Sequence, residues 1–264
     1  MDLELRGHAI VVTGATSGIG AAVAARLADE GARLLLVARD EQRLRAALGT
    51  LPGGPHATLA QDVTAPDAGR RIVAAHLDRV GRLDGAVLCA GASRRAGVAE
   101  LTEEDWRTQW ELNVLAAHRF LLDAADPLAA ADGGGRVVLV SSSSGKRPSP
   151  SNMAYGVGKS AQLALSRAWA EHLAPRGVRV NAVAPGPIDS EMWLAPGGLA
   201  DQAAEAAGID RDEALARARA RVPLGRFGRP EEIADAIALL VSPRAGFATG
   251  AAWSVDGGSV PSFL

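Results

Sequence analysis

Short apolar runs and amphipathic stretches alternate along the whole chain. HAIVVTG, ARLLLVAR, HATLAQDV, LDGAVLCAG, GRVVLVSS and VRVNAVAPG are apolar at nearly every core position, the pattern of strands buried on both faces. Helical periodicity fills the intervals 18–30, 41–49, 66–80, 103–131 and 153–174, and a helix over 230–241 precedes a last short strand in AAWSVDGG. Thr64 and Thr102 each stand three residues before an aspartate (Asp67 and Asp105), and Pro230 with Glu231 and Glu232 marks a further helix start. Alternation of this kind predicts an α/β fold: one doubly wound, Rossmann-type parallel sheet with helices on both faces. No linker divides the chain, so residues 1–264 are expected to form a single domain. The exception to the rhythm is 187–224, long, punctuated by Gly and Pro and partly helical. Excursions of that length in compact domains are usually functional, and this one is the predicted substrate lid.

Composition narrows the function classes. A net charge of −2 gives no general attraction to nucleic acid or to an acidic membrane. No stretch approaches the ~20 apolar residues that span a bilayer. The N-terminal MDLELRGHAIVVTG lacks the basic and apolar regions of a signal peptide, and the single cysteine, Cys89, suits a reducing compartment, so a cytoplasmic location is expected. The five histidines have no metal-ligand spacing and are expected to be packed or solvated, with no metal site.

The first strand runs into TGATSGIG, with Gly14, Gly18 and Gly20. This G-x-x-x-G-x-G spacing differs from the G-x-G-x-x-G dinucleotide pattern, but the physical logic is the same. Glycines let the backbone turn tightly and approach a pyrophosphate at the N-terminus of the next helix. The second strand ends in Ala38 and Arg39 where a ribose-binding carboxylate would otherwise stand. Arg39 therefore favours NADP(H) over NAD(H), although Asp40 follows it and a solvated helix-start arginine is the plain alternative. Asp62, ending the third strand, could meet the adenine amino group or cap the turn before Pro66.

All but two of the 28 basic residues are arginine, and one of the two lysines, Lys159, lies four residues after the only tyrosine, Tyr155. On helix 153–174 that spacing puts both on one face. An ammonium ~4–5 Å from a phenol at an effective dielectric of ~20 contributes roughly 3–4 kcal/mol, enough to bring the phenol pKa toward neutrality. Ser141 and Ser142 end the preceding strand, where an open parallel sheet binds ligands, and a serine hydroxyl there would meet a substrate carbonyl oxygen.

Taken with TGATSGIG, the AG at 90–91, Asn113 in ELNVL, Ser142, YGVGK, RVNAVAPGPI and RPEEIA…ATGAAWSVDGG, the chain resembles the short-chain dehydrogenase/reductase family over essentially its whole length. Its tail from VPLGRFGRPEEIA is similar to the 3-oxoacyl-carrier-protein reductase-like branch. The resemblance implies a seven-stranded sheet and a homotetramer or homodimer. It casts Tyr155 as proton donor/acceptor, Lys159 as its pKa partner and ribose ligand, Ser142 as the carbonyl-orienting hydroxyl, and Asn113 as the residue positioning a water linked to Lys159. It places Thr16, Ser17 and Ile19 with the three glycines around the cofactor, together with Val63 beside Asp62, Ala90, Gly91, Pro185, Gly186, Ile188 and Ser190. Cys89 stands where the family often has an asparagine that steadies the central strands.

The reaction implied is hydride transfer between NADP(H) and a carbonyl or secondary alcohol of a small molecule, with a β-keto thioester as one candidate. Ser144, Met153, Pro187, Met192 and Trp193 are candidates for a pocket wall, the last four equally readable as lid packing. Arg94, Arg95, Lys146 and Arg147 offer a basic rim for an acyl carrier protein or phosphorylated substrate, or a merely solvated one. The alternative function is a non-enzymatic dinucleotide sensor or partner-binding protein on the same fold.

Overall fold

The computed structural model describes residues 1–261. Its strands are β1 (Ala9–Thr13), β2 (Arg33–Ala38), β3 (Ala57–Ala60), β4 (Gly85–Leu88), β5 (Arg136–Val140), β6 (Arg179–Pro185) and β7 (Ala252–Val255). They form one sheet in the order β3-β2-β1-β4-β5-β6-β7, every pairing parallel. The order reverses direction between β1 and β4, whose ends stay in step, Thr13 opposite Leu88.

The apolar runs have no polar side because alternate residues of each strand feed opposite cores. Val11, Leu35, Val37, Val137 and Leu139 pack with α3 (Ala68–Val80), α5 (Ala116–Ala129) and α7 (Met153–Leu173). Ile10, Val12, Leu34, Leu36, Val138 and Val140 pack on the other face with α1 (Gly18–Asp29), α2 (Glu41–Thr50) and α11 (Pro230–Val241). The edge strands depart from the expected full burial: β3 is only half-buried and β7 is largely exposed. At the β7 edge, Lys146 in α6 (Ser143–Lys146) donates to Ala252 O (2.7 Å) and Ser254 Oγ (2.9 Å). A charged side chain laid along an open edge discourages strand addition.

Two helix expectations need correction. The predicted 103–131 is α4 (Glu103–Trp110) and α5 joined through one π-helical turn, Glu111–Leu115, which widens the spiral around Asn113. The helix expected at 66–80 begins at Ala68, because Thr64 does not cap it. Thr64 donates from both its N–H and its hydroxyl to Asp62 Oδ1 instead (2.9 and 2.7 Å). The Thr102–Asp105 pair does form a reciprocal capping box on α4, and Pro230 opens α11.

The 187–224 excursion contains three helices, α8 (Glu191–Leu194), α9 (Leu199–Ala207) and α10 (Arg211–Ala220). They enclose a small core of their own from Ala200, Leu215 and Val222, with Phe227 just beyond the segment. Trp193 stacks against Phe227 at 4.8 Å between ring centroids.

His76 on α3 is fully buried, its Nε2 bonded to the Arg82 carbonyl (2.9 Å), and burial holds its pKa down at about 4. The unfolded chain, near pKa ~6.5, therefore takes up a proton before the fold does. Stability conferred by neutral His76 is complete above pH ~6.5 and falls by about 3 kcal/mol as pH drops to ~4. Urea melts across that range are expected to show this loss in the wild type and a flatter profile in His76→Gln, which keeps a donor for Arg82.

Candidate active site

The C-terminal ends of β1 and β4 face one another where the strand order reverses, the place an open α/β sheet leaves a ligand crevice. There the chain turns at Gly14 (φ +67°), and a Cβ on it would lie 3.0 Å from the Ala90 backbone. A Cβ at Gly20 would lie 2.1 Å from Gly14 O, so only hydrogen lets the turn close on the first turn of α1. Ser17 precedes that helix without capping it through its side chain, which leaves the amide end of α1 available to an anion. Thr16 and Ile19 flank the turn, Ile19 packing into the core below.

Thr13 is a site residue that the motif reading missed. Its buried hydroxyl accepts from Cys89 N (3.1 Å) and Ala90 N (3.3 Å), tying β4 to β1 at the crevice floor. Cys89 itself packs against the α1 core, its thiol pushed up to about 12 by burial.

Beyond the glycine turn, Arg39 is exposed and has no ion-pair partner among the described residues, whereas Asp40 caps α2 by accepting from Arg43 N (3.0 Å). Asp62 takes up the strand-end turn with Thr64, and those hydrogen bonds, with a smaller contribution from Arg39, hold its pKa low. Val63 beside it packs onto the α3 core. From the other side, Pro185 ends β6, Gly186 N bonds Val255 O (3.1 Å), and Ile188 is buried and paired with Gly228. Ser190 then comes back to the glycine turn, its Cβ 3.4 Å from where a Cβ on Gly18 would stand.

Ser142, Tyr155, Lys159 and Asn113 gather at the end of β5. Lys159 is 2% exposed and donates to Val140 O (2.8 Å) and Gln162 Oε1 (3.1 Å), with its Nζ 5.9 Å from the Tyr155 ring centre. Gly91 approaches it closely: a Cβ there would be 3.6 Å from Nζ. Gln162 stands one helical turn along α7 from Lys159, a partner that i,i+3 spacing alone makes legible. Asn113, fully buried, donates from Nδ2 to Gln109 O (2.9 Å) and Oε1 (2.8 Å), while its Oδ1 has no partner. Ser142 Oγ accepts from Ser144 N (3.0 Å), whereas Ser141 turns away to donate to Lys159 O (2.9 Å).

The expected electrostatics are reversed. Burial raises the pKa of the half-buried Tyr155 phenol, only partly offset by Ser142, and burial lowers Lys159 to about 8. Desolvation disfavours phenolate and ammonium alike, and the lysine's donors are directed at Val140 and Gln162 rather than spent on the phenol.

The pocket-wall candidates divide. Met153 opens α7 two residues before Tyr155, Pro187 opens the excursion and Met192 stands exposed on α8, but Trp193 belongs to the excursion's own core. Of the basic rim, Arg94 is tied to Asp105 (2.7 Å) and Lys146 to β7, while Arg147 is exposed. Among the described residues no group of three or more His, Cys, Asp or Glu could hold a metal ion, and no helix is long and apolar enough to cross a membrane.

A glycine cradle only hydrogen can fill, an uncapped helix terminus and a buried lysine beside Gly91 fit a nicotinamide dinucleotide. These features are those of a Rossmann-type dinucleotide-binding enzyme fold. The family model described as enoyl-(acyl carrier protein) reductase matches residues 14–259. The chain belongs to the short-chain dehydrogenase/reductase family and is an oxidoreductase using a nicotinamide dinucleotide. It is 35% identical over 250 residues to the short-chain reductase protein NovJ of Streptomyces niveus, covering 94% of this chain and 92% of that one. It is 32% identical over 260 residues to the 3-oxoacyl-[acyl-carrier-protein] reductase FabG of Thermotoga maritima, covering 98% and 100%. The L-sorbose reductase of Gluconobacter frateurii, solved with NADPH and L-sorbose, superposes with a TM-score of 0.92 at 32% identity over the full length of both chains. The non-enzymatic alternative finds no support in these relatives.

Thr13→Val removes the acceptor shared by two part-buried amides and is expected to cost about 1–3 kcal/mol, read from denaturant melts, while Thr13→Ser recovers most of it.

Proposed function

We propose that the chain is an NADP(H)-dependent reductase of a small carbonyl compound, or the corresponding alcohol dehydrogenase, with Tyr155 as the proton donor/acceptor. The observation that carries this is the convergence of Ser142, Tyr155 and Lys159 at the end of β5, beside the glycine cradle. When bound, the nicotinamide supplies hydride to the carbonyl carbon or takes it back. The protein's own groups handle the oxygen. The Ser142 hydroxyl accepts from Ser144 N and directs its own O–H toward Tyr155, so a substrate oxygen seated between the two would take that donor. Burial keeps the Tyr155 phenol in its protonated form, and the proton passes to that oxygen only as negative charge develops on it. Lys159, fixed by Val140 and Gln162, sets positive charge near the phenolate that results. Asn113 acts as a positioning residue, its unpaired buried Oδ1 suited to an ordered water leading toward Lys159.

Arg39 supports NADP(H), since it is exposed and unpaired while the neighbouring Asp40 is committed to capping α2. The NADPH in the sorbose reductase structure supports the same preference. The β-keto thioester reading rests on the FabG relative, and the ketose bound by the sorbose reductase widens the class to polar ketones. A carrier-protein partner draws little from the rim, where Arg94 and Lys146 are already engaged. The excursion over 187–224 serves as the substrate lid. Exposed Leu224, Phe247 and Trp253 support self-association into a homodimer or homotetramer.

NADPH oxidation should be followed with β-keto thioesters, diketones and cyclic ketones. Tyr155→Phe is expected to lower turnover by roughly 10²–10⁴-fold with NADPH binding intact. Turnover persisting in that variant, or absence of wild-type turnover with every ketone, counts against the assignment. Arg39→Asp is expected to weaken NADPH binding on the order of 10- to 100-fold and NADH binding far less; equal weakening removes the basis for NADP(H).

A further inference from the structure

Among the described residues Arg95 is a cation without a counter-charge, at the margin of the candidate active site. Its neighbour Arg94 faces outward to Asp105, and nearby Arg211 pairs with Asp201 at 2.9 Å. Arg95 is instead half-buried, and its Nε is shut away from solvent with no acceptor. No carboxylate lies within ion-pair distance of it among the described residues. Among the described residues, the charged group that acts on it is a second cation, Arg221, at the end of α10. Burial and that like charge both work against the guanidinium. A partly desolvated charge left unpaired is a cost to the fold, so its counterpart is to be sought outside the chain.

The position of Arg95 says where that counterpart sits. Its backbone N–H donates to Gln202 Oε1 on α9 (2.8 Å), which fastens it to the excursion. Ala96 N donates to Ser151 O (3.0 Å), and Ala96 pairs with Asn152, three residues before Tyr155. Arg95 thus stands at the seam of three segments: the loop after β4, the excursion, and the start of α7. Two further buried polar atoms on these segments, Ser93 Oγ and Asn152 Oδ1, have no partner either. A guanidinium is a planar fork that binds a two-oxygen anion through paired hydrogen bonds.

We propose that the substrate carries an oxyanion, a carboxylate or a phosphate, which Arg95 binds with Ser93 beside it while the carbonyl is presented to Tyr155. This rests on the reductase reading and names its substrate class as anionic carbonyl compounds. Arg95 is then a specificity-determining residue, and Arg221 adds to the positive field at the entrance.

The test compares matched pairs in the holoenzyme: acetoacetate against methyl acetoacetate, and dihydroxyacetone phosphate against dihydroxyacetone. The wild type is expected to favour the anionic member of at least one pair by about tenfold or more in kcat/KM, chiefly through KM. Which pair shows the larger ratio tells carboxylate from phosphate. In Arg95→Met that ratio is expected to collapse toward one, and Arg95→Lys to restore part of it. The melting temperature of Arg95→Met should hold or rise, because an uncompensated charge has been removed, whereas a structural arginine would lower it. Equal rates for both members of each pair, or an equal loss on both in Arg95→Met, overturns the proposal. A second arm measures equilibrium binding of the same anions to the NADPH-loaded protein by tryptophan fluorescence. If no ketone is turned over, the reductase reading fails, and binding by wild type but not by Arg95→Met still upholds the anion site. Binding that is absent in wild type, or unchanged in the variant, sinks it.

Discussion

The burial of one ammonium group organises this molecule. Lys159 can stay charged inside the protein only if its donors are met, and Val140 O and Gln162 Oε1 meet two of them. That requirement fixes α7 against the end of β5. Ser141 reinforces the seat by bonding the carbonyl of the same lysine, and Gly145 permits it, since a Cβ there would lie 2.9 Å from the Lys159 backbone. Tyr155 is carried into place by the same helix, and Gly158 clears room for Asn113, whose Nδ2 is 3.3 Å from where a Cβ would be. Tyr155, Lys159 and Asn113 are therefore aligned by one seat rather than placed one by one.

The second organising constraint lies at the strand crossover. Parallel strands bring β1 and β4 side by side, but a crevice floor needs their ends locked at a set height. The Thr13 hydroxyl does this with two amides, and Gly14 and Gly20 remove the side chains that would prop the segments apart. Packing on both faces of the sheet then makes this floor rigid, which a site relying on pre-aligned groups requires.

Much of this was legible in the sequence because it depends on periodicity and on glycine. Continuous apolar runs announced strands buried on both sides, and every one of them is in the sheet. The tyrosine and lysine were legible through their rarity. What escaped depends on three-dimensional neighbours. The π-helical turn around Asn113, whose side chain is buried against α7, is encoded by no local propensity. Thr64 read as a cap until Asp62 proved the nearer partner. Charge separation along a helix suggested a lowered phenol, but spacing does not report desolvation, and burial decided the sign. Among the arginines, sequence could not tell the paired Arg94 from the unpaired Arg95.

The excursion between β6 and α11 has its own small core, with Leu215, Val222 and Phe227 packed together away from the sheet. A segment stabilised chiefly by its own contacts can open as a unit at a lower free energy than the sheet needs to unfold. Motion there would leave the seat of Lys159 and the floor at Thr13 undisturbed. The same separation lets the segment be exchanged or lengthened without disturbing the seat of Tyr155 and Lys159, so one scaffold can be offered to many differently shaped molecules.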